Sequence, residues 1–237
     1  KFPKNKNYTF QLARAYYAKE DFNNSFSFSK KAVQLGSAEA INLLALHYHY
    51  AEGTDENFTK AIELYQKAIE MGNTDALVNL GIMYEEGNDF IKKDLDKALS
   101  LYNQASNLGN ITGTIILAEI YAYGFENIKK DEKKAFKLME LAEKQGFSLD
   151  VINYLGAAYI HGIGVPRDIN KAIYYLEIAE NNNDPQAPLN LGYIYQLGDG
   201  GIDIDLDKAF KYYRNAHNRK NFAGTLMLAQ LYEQGLV

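Results

Sequence analysis

The 237-residue sequence has no cysteine and no tryptophan, and only four prolines and four histidines. Without Cys there is no disulfide framework, no thiolate metal site and no Cys nucleophile, and the redox compartment stays open because a thiol-free chain tolerates either. No apolar run approaches the ~18 to 20 residues of a membrane span, so none is expected in this segment. Positive charge is not in excess either, since 25 basic against 30 acidic side chains leave −5 at neutral pH. Phosphate affinity comes from clustered Lys and Arg, so nucleic acid is not the expected partner. What is present is ordinary for a folded protein: 47% apolar and 23% charged residues, too apolar for a disordered tail. Residue 1 is Lys rather than Met, and Gln234-Gly235-Leu236-Val237 stop inside a pattern that earlier copies complete. The sequence therefore reads as a segment of a longer protein, with room for a removed signal peptide or anchor.

The composition hides a period. Lys-Ala pairs recur at Lys60-Ala61, Lys97-Ala98, Lys134-Ala135, Lys171-Ala172 and Lys208-Ala209, 37 residues apart at every step. Four positions before each Ala stands Asn57, Asp94, Asp131, Asp168 or Asp205, and seven after it another Ala: Ala68, Ala105, Ala142, Ala179 and Ala216. The same lattice holds Leu80-Gly81, Leu117-Ala118, Leu155-Gly156, Leu191-Gly192 and Leu228-Ala229, with Tyr followed three residues later by Gly at Tyr50/Gly53, Tyr84/Gly87, Tyr121/Gly124, Tyr159/Gly162, Tyr195/Gly198 and Tyr232/Gly235.

Each column has a physical meaning. From Thr74 to Glu86 the residues Ala76, Leu77, Leu80, Met83 and Tyr84 fall at spacings of three and four, which predicts a helix, here helix A. Gly81 leaves room for a neighbouring helix and Gly87 ends the segment. Asp94 is placed to cap helix B, about Leu95 to Asn107, by accepting from its free N–H groups. Ala98 and Ala105, two turns apart, give that helix a small face for tight packing. One such hairpin cannot bury its apolar face alone, whereas stacked copies can.

Hairpins with Leu-Gly and Tyr on the first helix and Ala on the second resemble tetratricopeptide repeats. The longer loop Tyr159-Ile160-His161-Gly162-Ile163-Gly164-Val165-Pro166-Arg167-Asp168-Ile169-Asn170-Lys171-Ala172 is similar to the Sel-1-like variant of that repeat. Gly87-Asn88-Asp89-Phe90-Ile91 and Gly124-Phe125-Glu126-Asn127-Ile128 lack its second Gly and its Pro, and Asp199-Gly200-Gly201 is rearranged. The resemblance covers almost the whole chain, and divides a single helical-repeat domain, 1–237, into a tetratricopeptide-like hairpin at 8–36, Sel-1-like repeats at 37–72, 73–109, 110–146, 147–182 and 183–220, and a terminal helix at 221–237. It implies an all-α, right-handed α-α superhelix, a solenoid of stacked hairpins with helix A on the concave side. It also implies a noncatalytic scaffold or adaptor in bacterial signalling or host contact, without a cofactor. A periplasmic or secreted location follows from the same resemblance, a cytoplasmic one remaining open.

Carried over residue by residue, the tetratricopeptide groove positions fall on Arg14 and Tyr17, Tyr48, Ile82 and Glu85, Glu119, Asn153 and Ile160, Tyr193 and Gln196, and Gln230. Phe10, Leu44, Val78, Leu189 and Glu233 fall in the same columns. An apolar, aromatic groove with acidic residues along it suits a protein or peptide that carries apolar side chains and some Lys or Arg.

Candidate chemistry competes with this. Asp203, Asp205 and Asp207 alternate as in a calcium loop, but the sixth and twelfth places counted from Asp203 hold Lys208 and Arg214 rather than Gly and Glu. His47 and His49, two apart, diverge on a helix; His161 and His217 stand singly, and Glu85-Glu86 reads as a solvated rim. Gly162-Ile163-Gly164 and Gly200-Gly201 have neither the preceding strand nor the Lys of a phosphate loop. An enzyme or metal-dependent module on a repeat scaffold is the alternative, and it lacks converging polar groups.

Overall fold

A computed structural model describes residues 5–236. The expected outer bounds, Lys1 and Val237, lie outside the described residues. Thirteen α-helices and no strand are found among the described residues: α1 (Lys6–Tyr17), α2 (Phe22–Gln34), α3 (Ala38–His49), α4 (Phe58–Glu70), α5 (Thr74–Glu86), α6 (Leu95–Asn107), α7 (Ile111–Tyr123), α8 (Glu132–Gln145), α9 (Leu149–His161), α10 (Ile169–Asn181), α11 (Ala187–Leu197), α12 (Leu206–Asn218) and α13 (Phe222–Glu233). The helix expected over Thr74–Glu86 is α5 and that over Leu95–Asn107 is α6. The chain divides into two compact units, Lys1–Thr114 and Ile115–Val237, with the border inside α7. In the first, α1 pairs with α2, α3 with α4 and α5 with α6; in the second, α9 pairs with α10 and α11 with α12. Among the described residues no helix is long and apolar enough to cross a membrane.

Helices of this length are marginal alone in water, so packing must hold them. The two alanine columns supply it: Ala61, Ala98, Ala135, Ala172 and Ala209, with Ala68, Ala105, Ala142, Ala179 and Ala216, are all fully buried. Their small side chains let backbones approach; Ala105 Cβ lies where a side chain on Gly113 would stand.

Helix starts are set as expected. Asn57, Asp94, Asp131, Asp168 and Asp205 each accept, through Oδ1, from the backbone N–H three residues on. The connections between hairpins are equally economical. At Asn73, Asn110, Asp184 and Asn221 the backbone N–H bonds back to Ala68, Ala105, Ala179 and Ala216, closing one helix, while the side chain caps the next. The residue just before has positive φ: Gly72 and Gly109 in the first unit, Asn183 and Lys220 in the second.

The Lys of each Lys-Ala pair also has a partner. Lys60, Lys97, Lys134, Lys171 and Lys208 place their ammonium groups 4.4, 3.9, 3.8, 5.0 and 4.7 Å from the ring centres of Tyr48, Tyr84, Tyr121, Tyr159 and Tyr195. Such contacts contribute ~0.5 to 1 kcal/mol at exposed sites. They also correct the sequence alignment of α3. The tyrosine that matches Tyr84 is Tyr48, not Tyr50: Asn57 N–H bonds to Tyr48 O as Asp94 N–H bonds to Tyr84 O, at 2.9 and 2.8 Å.

Candidate functional site

That register moves the groove position of α3 from Tyr48 to Leu46. Tyr48 is 9% exposed, with the Phe26 ring edge-on at 5.5 Å and Lys60 over its face. It packs the first unit and presents no ring to a partner. Leu44, Val78 and Leu189 are buried as well.

After Tyr48, Tyr84 and Tyr195 the next residue, His49, Glu85 or Gln196, has a second duty. Tyr102 of α6 is fully buried and its hydroxyl donates to Glu85 at 2.6 Å; Tyr213 of α12 donates likewise to Gln196 at 2.5 Å. Tyr65 of α4 places its hydroxyl 3.3 Å from His49 Nδ1. Where helix B carries Met139 or Leu176 instead, the matching helix-A residues are Ala122 and Ile160. A buried hydroxyl needs an acceptor, and the lattice provides one only where there is a hydroxyl. Glu85 and Gln196 thus hold tyrosines from the groove side. Burial, then the hydrogen bond to Glu85, pushes the Tyr102 hydroxyl well above the usual phenol range.

Two clefts gather the remaining predicted residues. In the first unit, a cleft of about 750 Å³ brings Arg14 and Tyr17 together with Phe10, Asn42, Leu43 and Leu46. The exposed Arg14 guanidinium lies 5.9 Å from the Phe10 ring centre. In the second, a cleft of about 490 Å³ joins Glu119 and Asn153 to Asp150, Tyr123, Tyr154 and Met139, with Lys130 and Glu132 at its edge. Asn153 donates to Asp184 at 2.9 Å. Burial, then the charge of Asp150, raises the Glu119 carboxyl above the usual range. Asp150, Tyr123 and Tyr154 carry no signal in the repeat pattern that marks them for this cleft. Ile82, Ile160, Tyr193, Gln196 and Gln230 line neither cleft; Tyr193 is 37% exposed and meets the Tyr213 ring edge-on.

For the catalytic alternative, the described residues hold one Ser–His pair. Ser25 Oγ lies 2.9 Å from His47 Nε2, and His47 Nδ1 donates to the Glu52 carbonyl at 2.6 Å. Ser25 and His47 are both fully buried, so the pair ties α2 to α3 and meets no substrate. Asp205, from the calcium-like run, caps α12, and the Lys208 N–H it accepts from is the first cause of its lowered carboxyl. Among the described residues no three His, Asp or Glu side chains converge to hold a metal.

A family model described as Sel1 repeat matches residues 38–73, 74–110, 115–147, 150–184 and 185–217. Among solved structures, the chain resembles a protective antigen of uropathogenic Escherichia coli with an SLR fold, at 24% identity and TM-score 0.77, over 97% of this chain and 49% of that one. It also resembles a Sel1 repeat protein from Oxalobacter formigenes, at 26% identity and TM-score 0.70, over 91% and 88%. An immunity protein from Pseudomonas aeruginosa follows at 20% identity and TM-score 0.51, over 90% and 83%. The chain spans about half the length of the E. coli antigen. No curated protein matches it.

Proposed function

The chain belongs to the Sel1 repeat family, and from that premise we propose that it is a noncatalytic scaffold or adaptor which binds a protein or peptide partner along the concave, helix-A side of its repeats. Sel1 repeat proteins are in general protein-interaction scaffolds. The observation that carries the reading here is the pair of helix-A clefts, one in each unit. Both combine apolar walls with polar groups that the fold leaves uncommitted: Arg14 in the first, Glu119 and Asp150 in the second, none of them in an ion pair among the described residues. The partner we propose is an apolar segment with basic residues, in a setting of bacterial signalling or host contact.

The test is capture of partners by the purified chain from source-cell and host-cell extracts, followed by crosslinking and mass spectrometry. Crosslinks are expected at helix-A positions such as Arg14, Leu46 and Glu119. Leu46→Asp with Arg14→Glu should weaken capture while helical circular dichroism is kept. Crosslinks confined to helix B, around Lys137 and Lys211, would place the partner on the opposite side and overturn the assignment.

A further inference from the structure

Resting on that scaffold reading, we infer that the Asn42 amide, in the first-unit cleft, donates to a main-chain carbonyl of the bound segment, so that this part of the groove holds an extended partner by its backbone. Asn42 is a groove residue by the corrected register. The shift that replaces Tyr48 by Leu46 also replaces Leu44 by Asn42, in the column of Val78, Ile115, Asn153 and Leu189. Three of those four are aliphatic, and the fourth, Asn153, is tied to Asp184 at 2.9 Å. Stacking therefore does not call for an amide at this place.

The side chain is fixed at one end and open at the other. Asn42 is 8% exposed, and its Oδ1 accepts from Asn79 Nδ2 at 3.0 Å, which sets the plane of the amide. Its Nδ2 has no partner among the described residues, yet it is not sealed away from the cleft of about 750 Å³ that Asn42 lines with Phe10, Leu43 and Leu46. An uncompleted donor on so buried a residue costs stability, and an acceptor brought by a ligand recovers it.

The acceptor that fits is neutral. A Lys or Arg of the partner brings only donors and cannot serve Asn42. A carboxylate could accept, but Glu39 and Asp75 stand in the same lining, and Arg14 offsets only one of them. Both are committed as anions: Glu39 accepts from Ser37 Oγ at 2.9 Å, and Asp75 from Asn110 Nδ2 at 2.7 Å. An amide carbonyl meets no such repulsion, and an extended chain offers one at every residue, ~3.3 Å apart, whatever its sequence. Successive side chains point opposite ways, which leaves those beside the bonded carbonyl for the apolar wall of Phe10, Ala15, Leu43 and Leu46.

The experiment titrates acetyl-Ala-Leu-Lys-Leu-Ala-amide into the isotope-labelled full chain and follows backbone amide shifts by NMR, alongside analogues in which each peptide N–H in turn becomes an ester oxygen. An ester keeps the carbonyl but makes it a poorer acceptor. So short a segment should bind at about millimolar, with saturable shifts around Phe10, Asn42, Leu43 and Leu46. One ester position should weaken binding about fivefold to tenfold in the natural chain and have no effect in Asn42→Asp, which keeps the bond from Asn79 but replaces the donor by an acceptor. Asn42→Asp and Asn42→Leu should each bind the parent peptide about tenfold more weakly with helical circular dichroism kept. An ester scan with no sensitive position, the same ester loss in Asn42→Asp, shifts elsewhere in the chain, or undiminished binding by either folded variant would overturn the inference. So would a peptide with Gln or Glu at its centre that binds tenfold tighter and loses the ester effect, because the amide would then serve a side chain. Crosslinks confined to helix B beside an intact ester pattern would overturn the scaffold assignment alone, and crosslinks at Arg14 and Leu46 beside a flat ester scan would overturn this inference alone.

Discussion

Three glycines in one column of helix A make a controlled test of how this lattice is packed. Gly81, Gly156 and Gly192 each lie three residues before a columnar tyrosine, on α5, α9 and α11. None has positive φ, so alanine gains the same ~1 kcal/mol of helix propensity at all three. What differs is the helix-B neighbour. A Cβ on Gly81 would stand 2.5 Å from Tyr102 Cε1, and one on Gly192 would come closer still to Tyr213 Cε1, whereas on Gly156 the nearest atom, Tyr175 Cβ, is 3.5 Å away. Tyr102 cannot yield cheaply, being fully buried and tethered to Glu85. Overpacking of this kind costs ~1 to 3 kcal/mol and the displaced hydroxyl adds to it. Gly156→Ala should therefore be neutral or stabilising by up to ~1 kcal/mol, and Gly81→Ala and Gly192→Ala destabilising by ~1 to 2 kcal/mol. Because two units need not unfold together, the assay is amide hydrogen exchange read helix by helix, supported by urea midpoints. Adding Tyr102→Leu, which copies the Gly156/Leu176 pairing, should reduce the cost of Gly81→Ala, a coupling of ~0.5 to 3 kcal/mol. Three alanine variants that move in the same direction would refute the tyrosine-slot argument.

Two further outcomes follow from burial and backbone conformation. Burial lowers the pKa of His47 and His49, so below about pH 6.5 the unfolded chain binds protons that the folded one refuses. Stability of the first unit should be complete above that pH and fall on acidification, at up to ~1.4 kcal/mol per pH unit for each histidine. Urea titrations from pH 7.5 to 5.5 should show a slope that His47→Gln with His49→Gln flattens, and an unflattened slope would assign it to other groups. At the hairpin connections, Asn183 and Lys220 hold φ of 65° and 62° where Gly72 and Gly109 serve in the first unit. Asn183→Gly and Lys220→Gly should each raise the melting temperature, with a stability gain of ~0.5 to 1 kcal/mol, since a left-handed residue other than Gly costs about that net of glycine's entropy; a fall in either would show that the side chain contributes more than the strain.

The elements that repeat were legible because each column states one physical requirement several times over. Caps at Asp94 and Asp131, fully buried Ala98 and Ala105, and the bounds of α5 and α6 all follow from the period. At α3 the period misleads. Tyr50 and Gly53 imitate the Tyr/Gly spacing of the other copies, and only the hydrogen bond from Asn57 N–H to Tyr48 O reveals that Tyr48 fills the slot. Loop length carries the same information: Asn57 stands nine positions after Tyr48 and Asp94 ten after Tyr84, whereas Tyr50 would leave seven. The coupling of Tyr102 with Glu85 and of Tyr213 with Gln196 was also present in the sequence, as a polar residue that vanishes where helix B carries Met139 or Leu176.

The second-unit cleft was illegible for a deeper reason. A period predicts only what each copy shares, and Glu119, Asp150 and Tyr154 are what this copy does not share. Lys130, Glu132 and Ile163, from loops and a helix start, complete the cleft lining, and the lattice does not specify their identity. The same logic points the other way for function. A residue that every repeat needs is already explained by stacking, whereas an exposed charge such as Glu119, in a column that other copies fill with Leu46, Ile82, Ala157 or Tyr193, is not required by the stack. Glu119 and Tyr154 are such departures, and both line one cleft. In a scaffold built of near-identical units, recognition has to be written in the positions where the units differ.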